Sequence, residues 1–130
     1  MKHKKHICII GLGEFGTELA RELSRECEVL VLDRDENRVN AIVDQVQRAL
    51  ILDVRDFAGL SSVVTADFDE VIVSIGEDLE ASILCTLHLK KIGVRSIQAK
   101  AKTGRRPAGW PPTLSTPISW TSCPWKRITG

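Results

Sequence analysis

Apolar residues in this chain fall into short unbroken runs, separated by stretches where they recur every third or fourth position. Ile7-Cys8-Ile9-Ile10 is wholly apolar and stops at Gly11, the pattern of a strand buried on both faces. Phe15, Leu19, Ala20 and Leu23 follow at helical spacing, with Glu18, Arg21 and Glu22 on the opposite side. Val29 to Leu32 reads as a second buried strand ending at Asp33, and Val39, Ile42, Val43 and Val46 mark a second helix. Ala49 to Leu52 is a third strand ending at Asp53, after which Asp56 is placed to cap a short helix reaching Val63. Val71 to Ile75 is a fourth strand ending at Gly76. Leu79, Ile83, Leu84 and Leu87 belong to a longer helix that Gly93 terminates, and Ser96 to Ala99 is a fifth strand.

Strands and helices that alternate with short connections predict an α/β fold, a doubly wound parallel sheet of the Rossmann-like type. Right-handed crossovers give the strand order 3-2-1-4-5. In such a sheet the ligand crevice opens at the carboxyl ends of the strands, between strands 1 and 4. The residues found there are Gly11 to Gly16, Asp33, Asp53 and Gly76. A last helix and strand, which would complete the fold, are not recognisable after strand 5.

Composition divides the chain at the same place. All 17 acidic residues precede Gly104, whereas all five prolines and all three tryptophans follow Thr103. Prolines that frequent exclude a helix, and no alternating run suggests a strand. Residues 1–103 are therefore read as an incomplete nucleotide-binding domain. Residues 104–130 are read as an irregular tail, either out of frame with the body or a proline-rich docking segment. The net charge of +1 gives no general attraction to nucleic acid or anionic membrane, and no apolar run approaches the length of a membrane span. A cytoplasmic location is expected. Cys8, Cys27, Cys85 and Cys123 lack metal-ligand spacing. Cys8 and Cys85 read as small core residues.

Gly11-Leu12-Gly13-Glu14-Phe15-Gly16 is a G-x-G-x-x-G turn between a buried strand and an amphipathic helix, the context in which that motif binds a dinucleotide or related phosphate ester. The first glycine permits the turn, the second admits phosphate oxygens to the backbone, and the third lets helix pack on strand. The helix N-terminus adds free N–H groups and about half a positive charge. Asp33 lies about 20 residues downstream, where a carboxylate accepts from both ribose hydroxyls and disfavours a 2′-phosphate. Asp53, at the end of strand 3, is placed to accept from an adenine amino group. Arg34 after Asp33, Val54 after Asp53, Ile75 before Gly76, and Lys100 after strand 5 complete the candidate contacts. Arg34 is the ligand to expect if a 2′-phosphate does bind. Asp56 is assigned to helix capping. His3 and His6 are assigned to a solvated tail, and His88 to a structural or exposed position.

The segments Ile9 to Gly16, Val31 to Glu36 and Val71 to Gly76, with Glu80-Ala81-Ser82 and Ala99-Lys100-Ala101, resemble the RCK family, also called KTN or TrkA-N domains. The likeness covers residues 6–103 and is nearest to the Ktr-type regulatory subunit. It implies a regulator of potassium uptake or channel gating that binds NAD(H), ADP or ATP. Its implied partner is a membrane potassium transporter or channel subunit, met at the inner face of the membrane by a dimer that builds an octameric ring. Ktr-type subunits often carry a basic residue at the place of Glu14, beside the terminal phosphate. A carboxylate there repels a triphosphate unless a cation intervenes, which weakens ATP relative to ADP or NAD(H). The family's last helix contributes to its dimer interface.

The principal alternative is a fragment of an NAD-dependent oxidoreductase. A dehydrogenase needs a substrate-holding region and a proton donor. The chain has no tyrosine, and His88 is the sole histidine of the folded body. A non-enzymatic role is expected.

Overall fold

In the computed structural model the described residues are 4–75 and 78–101, with the backbone of 118–119; the side chains of 79, 100 and 101 lie outside this set. The elements are β1 (His6–Ile10), α1 (Glu14–Leu23), β2 (Glu28–Asp33), α2 (Glu36–Ile42), β3 (Arg48–Ile51), α3 (Phe57–Val63), β4 (Glu70–Val73), α4 (Leu79–Ile92), β5 (Ile97–Ala101) and β6 (Ile118–Ser119). Each apolar run of the sequence contributes a strand and each stretch of three-to-four spacing contributes a helix, though β4 ends at Val73 and α2 at Ile42, short of the expected Ile75 and Val46.

The strands lie in the order β3-β2-β1-β4-β5-β6, every neighbouring pair parallel. The predicted order of the first five is therefore observed. The sixth strand departs from the expectation that the sheet ends at strand 5 and that the tail is irregular. Ile118 and Ser119 pair with Lys100 and Ala101. An edge strand offers a row of unpaired N–H and C=O groups, and two extended residues suffice to take up part of that row.

Because successive strand residues face opposite sides, the sheet separates two apolar layers. Ile7, Ile9, Val29, Val31 and Ile72 pack with Leu19 and Leu23 of α1 and Val39 and Ile42 of α2. Cys8, Ile10, Leu30, Leu32, Val71 and Val73 pack with Leu60 of α3 and Cys85 and Leu89 of α4. This is the double winding that right-handed crossovers require. Cys8 and Cys85 are buried free thiols, as is Cys27. Burial pushes the Cys85 thiol up to about 12 and the Cys8 thiol well above its ordinary value, mainly through the same desolvation. Both behave as small apolar side chains rather than nucleophiles.

Helix boundaries follow local chemistry. Asp35 caps α2 by accepting from the Asn37 N–H, and Asp78 caps α4 by accepting from the Ala81 N–H. Gly93 ends α4 in the left-handed region at φ 94°, as its position predicts. Two expectations need correction. Helix α2 tightens into a 3-10 turn over Val43–Gln45, so Val43, assigned by spacing to the core, is 44% exposed. Asp56 occupies the N-cap position of α3 but makes no side-chain capping bond. Its carbonyl instead accepts from the Leu60 N–H at 3.0 Å.

Candidate functional site

The carboxyl ends of β1, β2, β3 and β4 meet the start of α1 around one crevice of about 700 Å³. Its walls include Gly11, Gly13, Glu14, Phe15, Gly16, Asp33, Arg34, Asp53, Val54 and Ile75. Ten of the twelve sequence-predicted contacts thus share one cavity. Gly76 lies outside the described residues, and Lys100 is described only in its backbone, on β5.

The three glycines of the turn serve different ends. Gly11 sits at φ +98°, and a Cβ on it would approach the Ser74 carbonyl oxygen to 2.7 Å. A Cβ on Gly16 would lie inside contact distance of the Gly11 carbonyl oxygen and 2.7 Å from Ser74 Oγ. Fold geometry alone demands glycine at both positions. Gly13 is different. Its φ of −72° suits any residue, and a Cβ would meet nothing within 4 Å. The protein's own packing gives no reason for glycine there; the bare backbone faces the crevice.

The turn is held from both sides. The Gly11 N–H donates to the Leu32 carbonyl at 2.8 Å, and the Ser74 N–H donates to the Ile10 carbonyl at 2.8 Å. Ser74 Oγ donates to the Gly11 carbonyl at 2.7 Å. From β2, Asp33 Oδ2 accepts from the Leu12 N–H at 2.7 Å, while Oδ1 accepts from the Asp35 N–H at 2.8 Å. Asp33 is only 8% exposed, and these two charge-assisted bonds make that burial tolerable. The carboxylate therefore clamps the glycine turn to the end of β2, a role its position in the sequence does not reveal. Each oxygen keeps a further acceptor site. The N-cap of α1 is Gly13, which makes no side-chain capping bond, and Glu14, Phe15 and Gly16 of its first turn line the crevice.

The opposite wall is built by the loop after β3. Asp53 Oδ1 accepts from the Arg55 N–H at 3.0 Å, which folds the loop on itself. Arg55 Nη2 then meets Asp78 Oδ2 at 2.5 Å. This ion pair links the loop after β3 to the start of α4 across the crevice. The Ala81 N–H, and after it Arg55, hold the Asp78 carboxyl below the usual carboxylate range. His88 Nδ1 lies 3.3 Å from the Val54 carbonyl and is partly buried, the structural one of the two positions expected for it.

Residue-by-residue reading missed four charged residues that line the crevice: Glu18, Arg38, Arg55 and Asp78. Arg38 reaches Asp33 Oδ2 at 3.8 Å and Asp35 Oδ2 at 3.7 Å. Glu18 falls one helical turn after Glu14, a spacing that places both on one side of α1. That spacing was the available signal. For Arg55 and Asp78 the signal was adjacency to strand ends.

The TrkA-N domain model matches residues 7–106. The chain belongs to the TrkA-N family. Among curated relatives, this TrkA-N chain is 44% identical over 100 residues to the Ktr system potassium uptake protein C of Bacillus subtilis (strain 168), an alignment covering 76% of this chain and 45% of that protein. The chain spans less than half the length of the curated relatives it matches first. Among solved structures, it resembles the GsuK channel bound to NAD at TM-score 0.63 and 18% identity, over 77% of this chain and 18% of that one. A short-chain dehydrogenase/reductase from Veillonella parvula has a TM-score of 0.66 at 18% identity, over 82% of this chain and 52% of that one. At such identities a channel and a reductase show the same thing, a shared fold. The curated relatives it matches first are named as Ktr system potassium uptake proteins. Among the described residues no helix is long and apolar enough to cross a membrane.

Proposed function

We propose that this chain is the nucleotide-sensing part of a regulator of potassium uptake or potassium channel gating. The ligand is an adenine nucleotide, NAD(H), ADP or ATP, bound in the crevice. The adenosine lies over the ends of β2 and β3 and the phosphates over the glycine turn. Asp33, through its remaining acceptor sites, takes the ribose hydroxyls, and Asp53 the adenine amino group. The observation that carries this reading is Gly13. A glycine kept where neither φ nor packing requires one is explained by a ligand that must approach the backbone. The site works by binding rather than by hydride transfer. Its effect reaches a cytoplasmic face of a membrane transporter or channel through the assembly of TrkA-N domains into a dimer and a ring.

The test is Gly13→Ala in the full chain, titrated calorimetrically with ADP, ATP, NAD⁺ and NADH. Because the added methyl has open space, the melting temperature should hold while affinity falls at least about tenfold, or 1.4 kcal/mol. Unchanged affinity with an unchanged fold would remove the ligand from the glycine turn.

A further inference from the structure

The chain crosses the sheet in two directions. From β1 to β2 to β3 it steps toward one edge, and α1 and α2 lie on one face. From β3 to β4 to β5 it steps toward the other edge, and α3 and α4 lie on the opposite face. Strand β6 continues that second direction, parallel to β5. A parallel pair needs a crossover of about a dozen residues or more, and residues 102–117 are that connection. Crossovers are right-handed in about 98% of cases, which puts this one on the face of α3 and α4, along the side of α4 that looks toward β6.

That side of α4 has an unusual character. The helix packs on α3, β4 and β5. Its α3 side is marked by His88, whose ring meets Phe57 edge-on with centroids 5.1 Å apart, and by Lys91, 5.8 Å over the same ring. Thr86 stands two positions before His88, about 200° round the helix, and so looks away from α3. Ser82 lies one turn before Thr86 on that same side. Both are buried, Ser82 at 4% and Thr86 at 5% exposed. The Thr86 hydroxyl donates to the Ser82 carbonyl at 2.8 Å, but buried Ser82 Oγ has no partner. Ile83 and Leu87 beside them are half-buried. Helix α1 turns Glu14, Glu18, Arg21 and Glu22 to solvent, whereas none of residues 81–89 of α4 is exposed. A helix without a polar stripe is one covered on every side.

We infer that the Ser82–Thr86 side of α4 is a docking surface whose occupant is residues 102–117 of this same chain. The chemistry of the two is complementary. Pro107, Pro111, Pro112 and Pro117 each bring a carbonyl without an N–H, so the segment holds a surplus of acceptors. Ser82 Oγ is a donor still to be used, and it donates to one of those carbonyls. Trp110 and Leu114 supply apolar area for Ile83 and Leu87. A segment too rich in proline to form a helix thereby does the covering that a crossover helix does elsewhere in the sheet. The side of α4 that it fills is closed to a second copy of the chain.

The test uses the full chain with Trp110 as its own probe. Trp120→Phe and Trp125→Phe leave it the sole tryptophan, and Cys123→Ser removes the cysteine that is not among the buried free thiols. A nitroxide is attached at Glu80→Cys, an exposed position one turn before Ile83, or at Lys91→Cys on the α3 side. The expected result is that the Glu80 label removes most of the Trp110 emission and the Lys91 label little. Emission untouched by the Glu80 label, or lost equally to both, overturns the docking. So does quenching that appears between chains, when labelled copies carrying Trp110→Phe are mixed with unlabelled ones, because the occupant is then a second copy. A second measurement follows the thiol reactivity of Thr86→Cys. It should be unreactive in the intact chain and reactive once residues 104–116 are replaced by glycine and serine at equal length, with Cys8 and Cys85 still protected. Protection in both chains, or reactivity in the intact one, also overturns the assignment; should the replaced chain not fold, the quenching in the intact chain decides.

Discussion

The two halves of the sheet treat buried polar atoms differently. In the half made of β1, β2 and β3 with α1 and α2, the buried carboxylate of Asp33 has both oxygens bonded to backbone N–H groups. Even the exposed Gln47 is used at both ends. Its Oε1 accepts from the Val29 N–H and its Nε2 donates to the Ser24 carbonyl, each at 2.9 Å. In the half made of β4, α4 and β5, Glu70 Oε1, Ser82 Oγ and Gln98 Oε1 are buried without a hydrogen-bond partner, and these are the three such side-chain atoms among the described residues. An orphaned buried polar group costs about 1–3 kcal/mol. The first half is thus closed on itself around the glycine turn, while the second carries polar atoms its own elements do not satisfy. Local stability should be higher in the first half, and the crevice lies along the boundary between them.

The comparison breaks most severely at Gly16. Alanine there forces its methyl against the Gly11 carbonyl and Ser74 Oγ, and the first of these contacts only backbone movement can relieve. Gly16→Ala should cost more than about 4 kcal/mol, the range reserved for strain and overpacking at special positions. Circular dichroism should show lost cooperativity in thermal unfolding. A native-like melt would mean that the turn is softer than its bonding to Leu32, Ile10 and Asp33 implies.

A smaller break is expected at Asp33. Asparagine keeps the size of the side chain but replaces one acceptor with an NH₂ group, which then confronts the N–H of either Leu12 or Asp35. Asp33→Asn should destabilise the chain by about 1–3 kcal/mol and weaken nucleotide binding as well, because the clamp and the ribose contact share one carboxylate. Binding that falls while the chemical-denaturation midpoint stays fixed would assign Asp33 to the ligand alone and weaken the idea of a self-contained first half.

Much of this was legible in the sequence, for identifiable reasons. Strands buried on both faces must be apolar throughout, so Ile7 to Ile10 and Val71 to Val73 announced themselves, and their alternation with helical spacing fixed the double winding. The glycine turn was legible because its chemistry is confined to six consecutive residues. The illegible parts depend on residues distant in sequence. That Asp33 clamps Leu12 is a contact across 21 positions, and the Arg55–Asp78 pair spans 23. The distinction between Gly13 and its two neighbours in the motif is equally hidden, since all three are the same letter and only packing separates them. Val43 failed because helical spacing cannot say where a helix tightens. Ile118 and Ser119 failed because two residues are too few to show any period.

The finest test of the two halves compares the same substitution on each side. Gln98 lies opposite Ile72 in the β4–β5 register and keeps a buried oxygen without a partner. Methionine has a similar length and volume and carries no strong acceptor, so Gln98→Met removes an orphaned group while preserving the packing. Replacing an unsatisfied polar atom by an apolar one of like shape is neutral or stabilising, and a gain of up to about 1 kcal/mol is expected. Gln47→Met makes the opposite change. It strips a partner from the Val29 N–H and from the Ser24 carbonyl, and a loss of about 1 kcal/mol is expected, with solvent replacing part of what is removed. The two variants should therefore move the melting temperature in opposite directions, by about 4 °C for each kcal/mol in a chain of this size. If both lower it equally, Gln98 is as well satisfied as Gln47. The contrast between the halves would then reflect the static arrangement of one side chain and not a difference in how they are built.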